Sequence, residues 1–195
     1  KQMALWGITD ADEAKPKWLT TAQKKEVFAN NSGWVVEAGS TMTGNDNADA
    51  QPEVLCCVGD LATGIGAADI TEIEFITTAF DKSDGGNIDV RVRFNEQVTV
   101  DTSGGTPTLT ITNDTPSRNL TATYLSGSTT NELIFRKTIA AANAATNAGD
   151  VLSIGANPLA LASGTIKDTA DGTTNATITS VASIGAAAGT ITVAA

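Results

Sequence analysis

The stretch that decides the fold is Asn87-Ile-Asp-Val-Arg-Val-Arg-Phe94, followed by Val98-Thr-Val100 and Leu109-Thr-Ile111. Apolar residues take every second position in it, and charged or polar residues take the others. Because side chains alternate between the two faces of an extended chain, this spacing predicts strands with one face on a core and the other in water. Asn95-Glu96-Gln97 and the Gly- and Pro-containing segment 101–107 are predicted turns. This order of strands and turns is typical of an antiparallel sheet.

The rest of the chain after residue 69 also predicts strands. They are expected at 70–77, 87–93, 98–100, 108–113, 120–124, 132–139, 151–154, 165–168, 176–183 and 189–193. Many short strands separated by Gly, Pro, Asn or Asp turns favour an antiparallel β-sandwich.

The first third of the chain has a different composition. All three tryptophans lie here, together with a helix predicted at 22–29, for which Thr20 and Gln23 form a capping box. Strands are expected at 33–37 and 53–58, and the glycine-rich segment 60–68 has the composition of a linker. We therefore predict two domains, residues 1–66 as a small, partly irregular α+β domain and residues 67–195 as the sandwich.

Charge and composition exclude several classes of function. The 195 residues carry a net charge of −10, with no cluster of Lys or Arg that would bind nucleic acid phosphates. No run of 18 apolar residues predicts a membrane span. The chain has no histidine, which removes the commonest general base and the serine–histidine and cysteine–histidine nucleophile systems. Cys56 and Cys57 are adjacent, and a disulfide between neighbouring strand residues would be strained.

The predicted sandwich resembles a known family in the order of its motifs. The motifs are Phe94-Asn-Glu-Gln-Val-Thr-Val100, Thr106-Pro-Thr-Leu-Thr-Ile111, Ala122-Thr-Tyr-Leu-Ser-Gly127, Leu133-Ile-Phe135, Gly149-Asp150 and Gly164-Thr-Ile-Lys-Asp168. In this order they resemble the bacterial Ig-like repeats of large surface adhesins, over about residues 69–195. The resemblance implies an Ig-like β-sandwich of a spacer or display type, without a catalytic centre.

A second resemblance covers the start of the chain. Met3-Ala-Leu-Trp-Gly-Ile-Thr-Asp-Ala-Asp-Glu-Ala-Lys-Pro-Lys-Trp-Leu19 and Asn31-Ser-Gly-Trp-Val-Val36 are similar to the amino-terminal segment of virion structural proteins of marine tailed phages, especially T4-like cyanophages. The resemblance implies an amino-terminal element that attaches to the particle and an Ig-like domain that projects from it. It also implies the major capsid protein, or another protein of the virion shell, as partner.

Five apolar residues are candidates for the anchor to this partner. They are Leu5, Trp6, Trp18, Leu19 and Trp34. Large rings in a segment with little regular structure usually become ordered by burial against a partner or a local core, so both remain open. A platform of tryptophans that stacks on sugar rings is a third alternative.

A weaker candidate is a calcium site at Asp81, Asp84 and Asp89, where carboxylates are spaced around Gly85 and Gly86. Lys82 interrupts the series and no Glu closes the loop, so a solvated hairpin turn is the alternative. We predict no cofactor, and neither catalysis nor contact with nucleic acid or membrane.

The sequence thus predicts a mainly β, non-enzymatic virion protein. The first expectation is a capsid decoration protein on the surface of a phage head, with self-association on the particle. The alternatives are a tail- or neck-associated virion protein, an Ig-like module of an extracellular adhesin or S-layer, and a carbohydrate-binding module.

Overall fold

The alternating pattern of the sequence produces a mainly β structure. The computed structural model describes residues 15–42, 45–115 and 117–195. The strands are Val27–Asn30 (β1), Gly33–Val36 (β2), Glu53–Cys57 (β3), Ile70–Phe75 (β4), Phe80–Asp81 (β5), Gly86–Asp101 (β6), Thr108–Asn113 (β7), Leu120–Ser126 (β8), Thr130–Ile139 (β9), Val151–Ser153 (β10), Leu159–Ala160 (β11), Thr165–Asp168 (β12) and Ile191–Ala194 (β13). The helices are a 3-10 helix at Gln23–Glu26 and two short α-helices, Leu61–Gly64 (α1) and Ala182–Ala186 (α2).

Strand β6, which is 16 residues long, connects the other strands into one mixed sheet. It pairs antiparallel with β9 along most of its length, with β4 on its first half and with β12 on its last residues. The strand order is β3-β2-β1-β6-β9-β8-β7-β10-β13-β5. The single parallel bridge from β1 to β6, between Ala29 and Glu96, joins the first three strands to the rest.

Two hydrophobic clusters lie on either side of residue 66. The N-terminal cluster consists of Leu19, Val27, Ala29, Trp34, Val36, Leu61 and Ile65. The main cluster begins at Ala68 and takes the inward residues of β4 to β13, among them Val90, Phe94, Ile111 and Phe135. We refer to the described residues 15–66 as the N-terminal segment and to residues 67–195 as the C-terminal segment.

Several predicted elements differ from the observed ones. The helix predicted at 22–29 ends at Glu26, because Val27 and Phe28 enter β1 and are buried in its pairing with β2. The turn predicted at 95–97 is an irregularity inside β6, where the register with β9 shifts between Arg93 and Val98. At this point the Asn95 backbone N–H donates a hydrogen bond to the Asp69 backbone carbonyl oxygen at 2.9 Å.

Two further predictions are wrong near the segment boundary and the carboxyl end. The glycine-rich segment 60–68 contains helix α1, which buries Leu61 and Ile65 in the N-terminal cluster. The strand predicted at 176–183 is replaced by isolated bridges and helix α2. Gly185 of α2 packs so closely that a Cβ at this position would lie 2.5 Å from the Gly155 carbonyl oxygen.

No helix in the described ranges has the length and apolar character needed to cross a membrane.

Candidate functional site

Trp18 is the most prominent exposed aromatic residue of the N-terminal segment. Its side chain is 63% exposed, on a turn closed by the Leu19 N–H, which donates to the Pro16 carbonyl oxygen at 3.2 Å. Leu19, the next residue, is buried in the N-terminal cluster. The turn therefore holds one apolar side chain inward and presents the other to the surface.

The turn is fixed by hydrogen bonds on its carboxyl side. The Thr20 N–H donates to Gln23 Oε1 at 2.9 Å, and the Gln23 N–H donates to Thr20 Oγ1 at 3.2 Å. These reciprocal bonds confirm the capping box predicted from the sequence. Lys15 Nζ donates to the Lys24 carbonyl oxygen at 2.6 Å and ties the preceding chain to the same helix.

The structure places the other predicted anchor residues differently. Trp34 is fully buried and Leu19 is 6% exposed, so the prediction that their side chains contact a partner directly is wrong in this conformation. Both serve the local core, which was the alternative for them. Leu5 and Trp6 lie outside the described residues. Of the five candidates, Trp18 is the one that the described residues present on the surface.

The three carboxylates of the candidate calcium site do not converge. Both oxygens of Asp89 accept hydrogen bonds from Arg136, at 2.7 and 2.6 Å. Asp81 Oδ1 accepts the Ser83 N–H at 2.8 Å and its hydroxyl at 2.6 Å, as in a solvated turn. Hydrogen bonds from Ser83 lower the pKa of Asp81. No group of three or more metal-binding side chains is present in the part of the chain that the structure describes.

The largest concentration of charge lies where the two segments meet, and it is centred on Arg93. Arg93 extends from the polar face of β6, which the alternating pattern assigned to water, yet its side chain is only 8% exposed. Its Nη1 lies 2.7 Å from Glu72 Oε2 of β4, and its Nε lies 2.5 Å from Glu132 Oε1 of β9. Its Nη2 lies 2.7 Å from Glu37 Oε1, which follows β2.

The registers of β4, β6 and β9 explain part of this cluster. Glu72 stands opposite Arg93, and Glu132 stands opposite Arg93 on the other side. Arg91 stands opposite Glu74, to which it forms an ion pair. Opposite charges facing each other across strands stabilise the pairing. We call this set, with Glu37 and Lys25 from the N-terminal segment, the Arg93 cluster.

Two residues of the N-terminal segment, Lys25 and Glu37, complete the cluster. Lys25 forms an ion pair with Glu72, and Glu37 Oε2 accepts a hydrogen bond from Asn131 Nδ2 at 3.3 Å. Burial raises the pKa of Glu72, but hydrogen bonds from Lys25 and Arg93 outweigh it and hold that pKa below its ordinary value. Glu72 therefore stays ionised.

The pKa values of Glu37 and Lys15 both shift towards neutrality, unlike that of Glu72. Burial, with the nearby Glu132 carboxylate as the second cause, raises the pKa of Glu37 to about 7. Burial lowers the pKa of Lys15 to about 8, although Glu37 and Glu72 oppose the change. The cluster connects the two segments through ion pairs and hydrogen bonds.

A cavity of about 350 Å³ lies beside the cluster. It is lined by Phe28, Glu37 and Gln51 of the N-terminal segment and by Gln97, Asn131 and Glu132 of the C-terminal segment. Sequence reasoning missed both features. The sequence did contain a signal for the ion pairs between strands: two arginines alternate with valines in β6, and two glutamates alternate in β4. The residues around Glu37 gave no indication that this side chain would contact them.

Comparisons of this chain with protein families, with curated proteins and with solved structures gave no match.

Proposed function

We propose that this protein is a non-enzymatic structural component of a phage particle, a capsid decoration protein on the head. In this proposal residues 1–66 bind the major capsid protein or another shell protein. Residues 67–195 form an Ig-like β-sandwich that is displayed outward. The particle surface is then its location, and neighbouring copies associate there.

The observation that carries the proposal is the exposure of Trp18 on a turn that hydrogen bonds between Thr20 and Gln23 hold in place. Tryptophan is enriched among the residues that dominate binding energy in protein interfaces. A side chain on a pre-ordered turn loses little conformational entropy on binding, which favours affinity. The Arg93 cluster supports the same reading, because it connects the segment that carries Trp18 to the rest of the protein.

The C-terminal segment supports a display role. Its core is built from the inward residues of antiparallel strands, with outward Thr and Ser residues such as Thr121, Thr123 and Ser126 on β8. Uncharged polar residues of this kind suit an exposed sheet surface.

The test is reconstitution on phage heads that lack this protein. Full-length chain is titrated against the heads, and the bound amount is measured after sedimentation. Trp18→Ala is expected to weaken binding by about 30-fold, the equivalent of a 2 kcal/mol interface contribution. The matched control is Val181→Ala, which truncates a side chain of similar relative exposure (65%) in the C-terminal segment and is expected to bind as wild type.

Three results would contradict the proposal. The wild-type chain does not sediment with the heads, Trp18→Ala binds as tightly as wild type, or Val181→Ala loses as much binding as Trp18→Ala. Binding to tails instead of heads would replace the decoration role with the tail-associated alternative. A Trp18-dependent signal on a glycan array, without binding to particles, would favour the carbohydrate-binding alternative, and calcium-dependent end-to-end polymers would favour the adhesin.

A further inference from the structure

Charged and polar side chains form several of the described contacts between the two segments. The two hydrophobic clusters share no residue, and they are separated in sequence between Ile65 and Ala68. The described contacts between the segments include the parallel bridge from Ala29 to Glu96, the Arg93 cluster and the bond from Asn131 to Glu37. The charge state of the cluster therefore affects how tightly the N-terminal segment is held.

The geometry around Arg93 brings two carboxyl groups together. Glu132 Oε1 accepts from Nε, and Glu37 Oε1 accepts from Nη2. These two nitrogens form one edge of the guanidinium, the edge that ordinarily receives both oxygens of a single carboxylate. Because each residue places one oxygen on that edge, the Glu37 and Glu132 carboxyls lie side by side against Arg93.

Two carboxylates at such a distance do not both ionise easily. The like charges repel, and one proton shared between them relieves the repulsion and forms a hydrogen bond. Protonation of Glu37 removes one of the two negative charges that face each other there. The shared proton here bridges the two segments, since Glu37 follows β2 and Glu132 lies on β9.

We propose that the Glu37–Glu132 carboxyl pair is a proton-operated latch that holds the N-terminal segment against β6 and β9. With the shared proton bound, the pair attracts and the segments are tightly docked. When the proton leaves, two negative charges face each other across the contact and the docking loosens. This inference does not depend on the proposed function, because it concerns only the contact between the two segments.

All charged groups around the latch bear on its behaviour. They are Lys15, Lys24, Lys25 and Glu26 from the N-terminal segment, Glu72 and Glu74 from β4, Arg91, Arg93 and Glu96 from β6, and Glu132 from β9. Arginines stay charged throughout, and hydrogen bonds from Lys25, Arg93, Ser40 and Thr41 hold the pKa values of Glu72 and Glu26 low despite their burial. Burial raises the pKa of Glu37 to about 7 and lowers that of Lys15 to about 8, so Lys15 loses its charge only at the upper end of the pH range in which Glu37 ionises.

The sign of the pH dependence follows from linkage. The pKa of Glu37 in the folded protein is raised, to about 7, above the ordinary value of 4.5, mainly by burial and then by Glu132. The docked state thus binds a proton that the undocked state releases, and docking weakens as the pH rises from about 4.5 through 7. A partly screened pair is expected to change the docking equilibrium by about tenfold over this window, since a tenfold change corresponds to one unit of pKa.

The experiment measures docking of the full-length chain between pH 5 and 8.5. Hydrogen exchange of the amides of β1 and β2, corrected for the intrinsic pH dependence of exchange, reports docking, and the carboxyl carbons of glutamate are titrated in parallel by NMR. We expect protection of β1 and β2 to fall by about tenfold as the pH rises from 5 through 7 and to stay low above it. Glu37→Gln, which mimics the protonated group, is expected to remove this pH dependence. Glu53→Gln, at an exposed position on β3, is expected to retain it.

Each outcome decides the proposal. A Glu37 carboxyl resonance that titrates near pH 7, together with a flat profile in Glu37→Gln, supports it. Titration of Glu37 below pH 5 in the wild-type protein would overturn it, and this measurement needs no variant to fold. An unchanged pH profile in Glu37→Gln, or a flattened profile in Glu53→Gln, would also overturn it.

Discussion

Replacement of Arg93 by methionine tests the role of the charge cluster in stability. The guanidinium is 8% exposed and contacts carboxylates on three elements, at 2.7, 2.7 and 2.5 Å. Methionine keeps the aliphatic length but leaves Glu37 and Glu72 without their central cation, with side chains only 12% and 5% exposed. Breaking a buried ion pair by removing one partner costs about 3–5 kcal/mol. For a chain of this size that corresponds to a fall in the melting temperature of roughly 10 °C.

The assay is denaturant unfolding of wild type and variant at pH 7 and at pH 5. Without the guanidinium the buried carboxyls gain protons more readily when folded than when unfolded, so the loss should be smaller at pH 5. The matched control is Arg136→Met, whose side chain is 37% exposed and pairs with Asp89 near the surface. If Arg93→Met destabilises the protein at pH 7 no more than Arg136→Met does, the account of the cluster is refuted.

The remaining predictions concern packing, backbone and metal. Trp34→Ala should lower the free energy of unfolding by about 3–5 kcal/mol, since it empties the centre of the N-terminal cluster, whereas Trp18→Ala should leave it nearly unchanged; equal losses in urea unfolding would contradict this. Gly127→Ala should destabilise the protein strongly, because φ is +107° and the added Cβ would lie 1.9 Å from a carbonyl oxygen of β9. Gly59→Ala should not, because its Cβ would meet no atom within 4 Å. The melting temperatures of the two variants test this difference. Millimolar calcium should not raise the melting temperature, because Asp89 is already held by a guanidinium, and a rise of several degrees would reinstate the calcium site.

The alternation of apolar and polar residues predicted strands correctly where a strand and its neighbours pack in the same hydrophobic cluster. The strands predicted at 108–113 and 165–168 coincide with β7 and β12. In both, the period of two is set by inward residues such as Ile111 and Ile166, which are nearly or fully buried. Here the short-range pattern and the long-range packing agree, so the sequence sufficed.

The sequence failed where a polar residue is covered by a distant part of the chain. Glu96 was assigned to a turn because of its type, yet it is fully buried within β6 opposite Ala29 of β1. Arg93 was assigned to the solvent face for the same reason. Periodicity shows which face of a strand is polar, but not whether another segment packs on that face. The position of Glu37 depends on the parallel bridge between β1 and β6, for which the sequence has no local signal.

The same limit explains the anchor residues. Composition indicated that the tryptophans of the first third are ordered by burial, and it left open whether a partner or a local core provides it. For Trp34 the core is local, formed with Leu61 and Ile65 from a segment that its glycines marked as a linker. For Trp18 the turn after Pro16 turns the ring outward.

The long reach of β6 has a consequence for how the chain is made. Synthesis delivers the N-terminal segment first, but the side chains that receive it lie between Glu72 and Glu132, and β9 follows β6 by about 30 residues of newly made chain. At elongation speeds of about 5–20 residues per second, several seconds pass between the synthesis of the first strands and that of the strands they contact. Non-local pairings of this kind also fold slowly, in milliseconds to seconds. The contacts of the N-terminal segment with β6 and β9 therefore form only after those later strands have been synthesised.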